Sequence, residues 1–293
     1  MTAFTISPTR PASDNMIKTK IGISSYSYSY AVGFPGFSPT KPLNAFDLID
    51  KASELQVPVL QIADNCPLDK LSEYELTSLN KYSRQKSVEI EVGTRGIETE
   101  NILKYIEIAK KLNSGLLRVV IDTAWHQPDF DEIIALLSKV LPVLTQENIV
   151  LGIENHDRFK SSVFARIVET LNSPNVGIVL DTVISFACEE NTLQVLDSLA
   201  RHTVNFHVKD FKIERVKNSM GLIVTGTVAG EGFLDIPAVE QRLQKEARGD
   251  YSTILELWMA PETNVEDTLQ KEDIWVKNSI SYLKRILGVP GSR

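Results

Sequence analysis

The chain is poor in the residues that build disulfide frameworks, cysteine-rich zinc sites and nucleic-acid interfaces. Only two cysteines occur among 293 residues, and neither belongs to a CxxC pattern. This argues against a disulfide framework and predicts a reducing, cytoplasmic location. Acidic residues outnumber basic ones, with a formal net charge of −7. Because no surplus of Lys and Arg is left to neutralise phosphates, we expect no nucleic-acid partner.

Long apolar runs are also missing. Nowhere do 18 apolar residues follow one another, so the sequence predicts no membrane span and no membrane partner. Residues 1–17 are rich in Thr, Ser, Pro and Ala and lack the apolar stretch of an export signal. We expect a flexible N-terminal tail there, followed by one catalytic domain over residues 18–293 without linkers or internal repeats.

Eight short apolar runs, rich in Val, Ile and Leu, recur along the chain. Runs of this length with branched residues are typical of buried parallel strands. They are KIGIS (20–24), PVLQIAD (58–64), VEIEV (88–92), LLRVVID (116–122), NIVLGIE (148–154), VGIVLD (176–181), TVNFHVK (203–209) and TILEL (253–257). Longer segments with apolar residues at helical spacing lie between them, as at Ile133, Leu137 and Val140.

Eight alternations of strand and helix in one chain of this length predict an α/β fold, a single-domain (β/α)8 TIM barrel. A doubly wound sheet is the alternative, but the segment after the first run lacks the GxGxxG spacing of a dinucleotide-binding turn. The connection over 211–234 interrupts the regular alternation of strand and helix after the seventh strand. Loops of that length are usually functional or lie at an interface.

A polar side chain closes each of the last four predicted strands. In chain order these are Glu154, Asp181, His207 and Glu256. In TIM barrels the chemistry lies at the carboxyl ends of the strands, and strand residues alternate between the lumen and the helix layer. On the seventh strand, Val204, Phe206 and Val208 form the apolar outward set. His207 therefore faces the lumen, and the same alternation turns the three carboxylates inward.

Three carboxylates and one imidazole in one small volume would repel each other unless a cation lies among them. Each residue alone has an ordinary structural explanation: Asp181 as a helix cap, Glu256 in an ion pair, His207 as a core histidine. Four matching positions on adjacent strands favour one metal site instead. An O3N ligand set suits Mn²⁺, Mg²⁺, Co²⁺ or Zn²⁺.

Five motifs resemble the xylose isomerase-like superfamily of sugar phosphate isomerases and epimerases. They are GIENHDRF (152–159), VGIVLDT (176–182), NFHVKDF (205–211), GEGFLDIP (230–237) and LELW (255–258). The resemblance implies one divalent metal, often Mn²⁺, bound by Glu154, Asp181, His207 and Glu256. One departure is Ile184, where several epimerases of this superfamily carry a histidine, so the resemblance does not specify the sugar.

The resemblance also implies a reaction. We expect a divalent-metal-dependent isomerase or epimerase of a keto-sugar, keto-inositol or related polyol, in which the cation stabilises an enediolate. Glu154 and Glu256 would take and return the proton as catalytic residues. The expected partner is a small sugar or polyol, and the sequence leaves open whether the chain is a homo-oligomer.

Further polar and aromatic residues near the strand ends are candidates for substrate binding. They are Lys209, His156, Trp258, Tyr26, Asp64, Arg95 and Asp122. Lys209 lies two residues beyond His207 and therefore on the same face, where its ammonium group can hold a substrate oxygen. An ion pair with a strand-end acid explains Lys209 equally well, and helix capping explains Asp64 and Asp122. Asp210 should point away from the lumen and orient the following loop.

Other functions use the same residues. A lyase or dehydratase acting on a 3-keto-glycoside or inosose would pass through the same enediolate. A three-zinc endonuclease of the same superfamily needs more inward histidines than four in total supply, together with a basic groove. A catalytically silent sugar-binding barrel is the remaining alternative, and the four filled ligand positions argue against it.

Overall fold

The fold is known from a computed structural model, which describes residues 17–217 and 220–288. Eight parallel strands form a closed barrel in the order β1-β10-β7-β6-β5-β4-β3-β2. These strands are β1 (Thr19–Ser24), β2 (Val59–Ile62), β3 (Glu89–Arg95), β4 (Leu116–Val120), β5 (Val150–Glu154), β6 (Val176–Asp181), β7 (Thr203–Val208) and β10 (Tyr251–Leu255). Each overlaps one predicted run, so the predicted TIM barrel is confirmed. Residues 1–16 of the predicted tail lie outside the described residues.

Helices surround the barrel. They are α1 (Ser29–Val32), α2 (Ala45–Glu54), α3 (Glu73–Gln85), α4 (Thr99–Leu112), α5 (Phe130–Gln146), α6 (Ser161–Leu171), α7 (Thr192–Leu199), α8 (Ile236–Glu246) and α9 (Val265–Ile286). Side chains such as Ser72 before α3 and Asn191 before α7 accept hydrogen bonds from the free N–H groups of the first turn, which fixes where these helices begin. No helix in the described ranges has the length and apolarity needed to cross a membrane.

The main core lies between the barrel and the helices. The outward residues of the strands, among them Ile153, Leu180 and Phe206, are completely buried there. At about 25 cal/mol per Å² of apolar surface removed from water, burial of this layer stabilises the closed barrel. Because the main apolar core lies outside the barrel strands, side chains that face the lumen can be polar.

A two-stranded antiparallel sheet, not predicted from the sequence, lies in the long connection. Strands β8 (Phe211–Arg215) and β9 (Leu222–Gly226) pair with each other and join no barrel strand. Its β9 end lies beside the barrel mouth, where Gly226 packs against Trp258. A side chain at position 226 would clash there, because its Cβ would lie 2.7 Å from the carbonyl oxygen of Trp258.

One predicted orientation is wrong. Val204 was expected to face the helix layer, but the register between β6 and β7 shifts at this point, so that Ile178 pairs with Thr203 and Val179 with Asn205. The extra residue turns Val204 toward the floor of the lumen, where a Cβ on Gly177 would lie 2.5 Å from its Cγ1. Such a β-bulge reverses the orientation of a residue locally, and beyond it Phe206 and Val208 face the core as expected.

Candidate functional site

The four predicted ligands meet at the carboxyl end of the barrel. Glu154 ends β5, Asp181 ends β6, and Asp181 pairs in register with His207 on β7. Glu256 follows the last residue of β10. None of the four is more than 2% exposed. The neighbouring strand ends thus bring residues about a hundred positions apart in the sequence into one buried cluster.

The donor atoms of the cluster fit a metal ion. Ligand atoms of Glu154, Asp181 and His207 lie within 4.8 Å of one another. Glu256 stands beside this triad, with its Oε1 3.6 Å from Nδ1 of His207. Nδ1 of His207 and Oε1 of Glu256 are buried without a hydrogen-bond partner. Buried acceptors that lack a donor are unfavourable unless a cation contacts them, so these residues could hold a divalent ion.

The two carboxylate oxygens of Asp181 make different contacts. Its Oδ1 accepts the backbone N–H groups of Val183 and Ile184, at 2.8 and 3.2 Å, as expected of a cap. Its Oδ2 faces the cluster, where its partner is Nζ of Lys209 at 2.6 Å. The capping interaction therefore orients the carboxylate and leaves one oxygen directed at the cation site.

Lys209 forms ion pairs with the strand-end acids. Its Nζ lies 2.6 Å from Oδ2 of Asp181, 2.8 Å from Oε2 of Glu256 and 3.7 Å from Oε1 of Glu154. Burial by itself would lower the pKa of Lys209, but the three carboxylates raise it well above its usual value. Lys209 is thus a fixed positive charge within the ligand cluster, a position from which it can also reach a bound molecule.

Arg118, on β4, is a site residue that the sequence reasoning missed. Its Nε and one terminal nitrogen both lie 2.5 Å from Oε2 of Glu154, and its other terminal nitrogen lies 2.8 Å from Oδ1 of Asp64. Burial alone would raise the pKa of Glu154, but Arg118, His207 and Lys209 hold it well below its usual range. The sequence did contain a signal for this residue. Arg118 stands at a lumen-facing position of the apolar run LLRVVID, as the predicted ligands do in their own strands.

The charged network continues from Arg118 to the barrel mouth. Oδ2 of Asp64 accepts hydrogen bonds from Nε of Arg95 at 3.0 Å and from the Tyr26 hydroxyl at 3.3 Å. Burial raises the pKa of Asp64, but the two arginines outweigh it and lower that pKa overall. Burial and Asp64 raise the pKa of Tyr26 to about 12, so its hydroxyl stays protonated at neutral pH. These three candidate residues therefore lie together beside the cluster.

His156 and Asp122 lie further out, in a pocket of about 510 Å³ that Arg95 and Arg158 also line. Asp122 binds the Arg158 guanidinium at 2.5 and 2.6 Å. Nδ1 of His156 lies 2.6 Å from Oδ1 of Asp157. The structure therefore places His156 at the mouth of the barrel and not beside the metal ligands.

Asp210 organises the loop after the hairpin. Its two carboxylate oxygens accept four backbone N–H groups, those of Phe211, Gly230, Gly232 and Leu234, at 2.8–3.1 Å. Its carbonyl oxygen accepts the indole N–H of Trp258 at 3.3 Å. This agrees with the expectation that Asp210 orients the loop, and it anchors the aromatic ring next to Glu256.

The chain is similar in sequence to one known protein family and to one decarboxylase. Residues 68–284 match the family described as xylose isomerase-like TIM barrel. The chain is 31% identical over 263 residues to the 3-oxo-isoapionate decarboxylase of Pectobacterium atrosepticum, an alignment that covers 90% of this chain and 94% of that protein. Sequence similarity thus extends over nearly the full length of both proteins.

Solved structures agree with this fold. A D-psicose 3-epimerase, determined in the presence of D-fructose, superposes with a TM-score of 0.69 at 15% identity, covering 92% of this chain and 100% of that one. A xylose isomerase-like TIM barrel protein from Mycobacterium smegmatis, in complex with magnesium, gives a TM-score of 0.65 at 12% identity, covering 92% and 96%. At such low identity these matches support the architecture alone.

Proposed function

Because the chain belongs to the xylose isomerase-like TIM barrel family, we propose that it is a divalent-metal-dependent decarboxylase of a 3-oxo sugar acid. The decarboxylase relative, aligned over most of both chains, supports this class of reaction. The metal would be held by Glu154, Asp181, His207 and Glu256. The single observation that carries the choice of reaction is the contact between Arg118 and Glu154.

Arg118 makes Glu154 a poor carrier of protons. Isomerisation and epimerisation both break a C–H bond, and as expected from the sequence they would use Glu154 and Glu256 to take and return the proton. Two nitrogens of Arg118 contact Oε2 of Glu154, and both side chains are buried. That oxygen is therefore engaged, while Oε1 lies 3.7 Å from Nζ of Lys209. A decarboxylation does not need this glutamate as a base.

The bond changes fit the residues present. In a 3-oxo acid the bond between the carboxylate carbon and C2 breaks, CO2 leaves, and its electron pair shifts toward the C3 carbonyl oxygen. C2 then accepts one proton, and the product is a ketone. A cation bound at the cluster supplies Lewis-acid stabilisation of the negative charge that develops on the substrate oxygen. The Lys209 ammonium, 2.8 Å from Glu256, would stabilise the negative charge on that oxygen as a fixed positive charge, and the proton that C2 accepts would come from water.

The charges of the lumen also favour an acidic substrate. Four carboxylates, Asp64, Glu154, Asp181 and Glu256, contact three fixed cations, Arg95, Arg118 and Lys209. The cluster alone thus has one negative charge in excess, and a divalent ion changes this to one positive charge. A substrate with a single carboxylate would neutralise it.

The test is to incubate the protein in D2O with Mn²⁺ or Mg²⁺ and 3-oxo-isoapionate, and to follow both CO2 and the NMR spectrum of the product. We expect CO2 release, a ketone with one deuterium on the carbon that carried the carboxylate, and loss of both with chelator. Glu240→Gln is the matched control, because Glu240 is a buried acid bound to Tyr251 and Thr253 outside the cluster, and it should retain activity. No CO2 from any 3-oxo sugar acid would refute the proposal.

A keto-sugar epimerase or isomerase is the second candidate. The observation in its favour is Oε1 of Glu256, which is buried without a hydrogen-bond partner and is free to accept a proton. This function predicts deuterium exchange into a keto-sugar such as D-psicose without any CO2. The same experiment in D2O, run with keto-sugars, therefore separates the two reactions.

A further inference from the structure

Three polar residues on the floor of the lumen support His207 from the side opposite the cluster. Nε2 of His207 lies 2.8 Å from Oε1 of Gln61 on β2, and the ring is completely buried. Gln61 pairs in register with Glu91 on β3. Asn205 precedes His207 by two residues and therefore faces the same lumen.

The orientation of the Gln61 amide is determined by its second contact. Its Nε2 lies 2.9 Å from Oε2 of Glu91 and 3.5 Å from Oδ1 of Asn205. Oε2 of Glu91 also accepts from Nδ2 of Asn205 at 2.9 Å. Since both neighbours present acceptors, the NH2 group of Gln61 points to them and its oxygen points to His207. That oxygen can only accept, so Nε2 of His207 must carry the proton.

A proton on Nε2 of His207 determines the state of its other ring nitrogen, Nδ1. With the proton on Nε2, the lone pair of a neutral His207 lies on Nδ1, which is 3.5 Å from Oε2 of Glu154 and 3.6 Å from Oε1 of Glu256. Nδ1 has no hydrogen-bond partner. A lone pair among carboxylate oxygens is repelled by them, whereas a shared cation would bind all three groups.

We infer that Gln61, held in place by Glu91 and Asn205, is a positioning residue that keeps the proton of His207 on Nε2 and so presents Nδ1 to the metal. The inference rests on the metal site of the proposed function. It goes beyond it by assigning a role to side chains that touch neither metal nor substrate. Partners of this kind typically change metal affinity by about 10- to 100-fold when they are removed.

The experiment compares Mn²⁺ affinity, measured by electron paramagnetic resonance of free Mn²⁺, in four proteins. Gln61→Met removes the acceptor, and we expect binding weaker by about 10- to 100-fold. The exchange of Gln61→Glu with Glu91→Gln keeps an acceptor facing the ring and should restore affinity to within about threefold of wild type. Asn175→Leu is the matched control, because this buried amide bonds to Ile149 and Leu144 at the far end of the barrel. It should lower stability without changing affinity.

Nitrogen NMR supplies a readout that a purely structural role would not change. The chain has four histidines, so ¹⁵N-histidine labelling gives few signals, and His207 is the one that responds to Zn²⁺. We expect a proton on Nε2 with and without Zn²⁺ in the wild type, and loss of this preference in Gln61→Met. A proton on Nδ1 with Nε2 unprotonated, or unchanged Mn²⁺ affinity in Gln61→Met, would overturn the inference. A wild type that binds no metal would refute the proposed function, while the position of the proton would still test the role of Gln61.

Discussion

At the scale of single residues, each carboxylate of the ligand cluster has a specific neighbour of opposite sign. Glu154 is neutralised by Arg118 from β4, and Asp181 and Glu256 by Lys209 from the end of β7. Buried charges are tolerated only when they are paired in this way. Lys209 differs from Arg118 because it contacts the carboxylate oxygens that face the cation site. It therefore competes with a metal for the same oxygens.

Replacing Lys209 should strengthen metal binding and weaken turnover. In Lys209→Met one positive charge disappears next to the ligands, so we expect Mn²⁺ affinity to rise on the order of tenfold or more. Turnover should fall because the positive charge that would stabilise the developing enolate is lost. Titration calorimetry with Mn²⁺ measures the first effect. Lys104→Met, which removes an exposed lysine bound to Asp69 outside the ligand cluster, should change neither. Weaker Mn²⁺ binding in Lys209→Met would contradict this account.

At the scale of elements, the loop over 228–234 depends on one carboxylate. Asp210 accepts four backbone N–H groups and is itself almost completely buried. A long connection without such anchors would expose unpaired backbone groups at the mouth of the barrel. Asp210 thus couples the strand that carries His207 to the loop that precedes α8.

The substitution Asp210→Asn tests this coupling. An amide has one oxygen, so its NH2 group would face the N–H groups of two of the four donors. We expect a loss of about 2 kcal/mol in the free energy of unfolding and faster hydrogen exchange at Gly230 and Gly232. Asp235→Asn is the control, since asparagine caps the start of α8 as well as aspartate does. If exchange at the two glycines is unchanged in Asp210→Asn, the loop is held by other contacts.

At the scale of the whole molecule, a buried glutamate on α9 links stability to pH. Glu272 accepts the backbone N–H groups of Tyr30 and Ala31, at 2.7 and 2.9 Å, and is 2% exposed. Burial, which outweighs the two hydrogen bonds, raises its pKa from 4.5 to about 7. The folded protein therefore holds this proton more tightly than the unfolded chain does. The resulting stabilisation is complete below the unfolded pKa and is lost as the pH rises through the folded pKa.

Glu272→Gln should remove this dependence. Between pH 4.5 and pH 8 the free energy of unfolding of the wild type should fall, relative to the variant, by about 3 kcal/mol, since one pKa unit corresponds to about 1.4 kcal/mol. Urea unfolding at a series of pH values measures the difference. Glu266→Gln in the first turn of the same helix provides an exposed control. Parallel pH profiles for wild type and Glu272→Gln would show that Glu272 titrates normally.

Much of the fold could be predicted because it depends on local patterns. Apolar runs of strand length, separated by amphipathic segments, have one common solution in a chain of this size, and the barrel agreed with it. The parity of Glu154, Asp181 and His207 within their strands then directed them to one end of the lumen. The hairpin β8–β9 and the inward turn of Val204 escaped prediction, because an isolated pair of strands and a β-bulge have weak sequence signals.

The sequence by itself determined which polar groups face the lumen, since strand alternation and the position of a residue at a strand end are local properties. Only the tertiary structure decided how these groups pair. Arg118 meets Glu154 and Asp64 across three strands, Lys209 lies among the ligand carboxylates, and Gln61 reaches His207 across 146 positions. Such contacts depend on strand register and side-chain distance, and the energy of a buried charge depends on both. For that reason the pairing of the charges, and the reaction it favours, required the folded barrel.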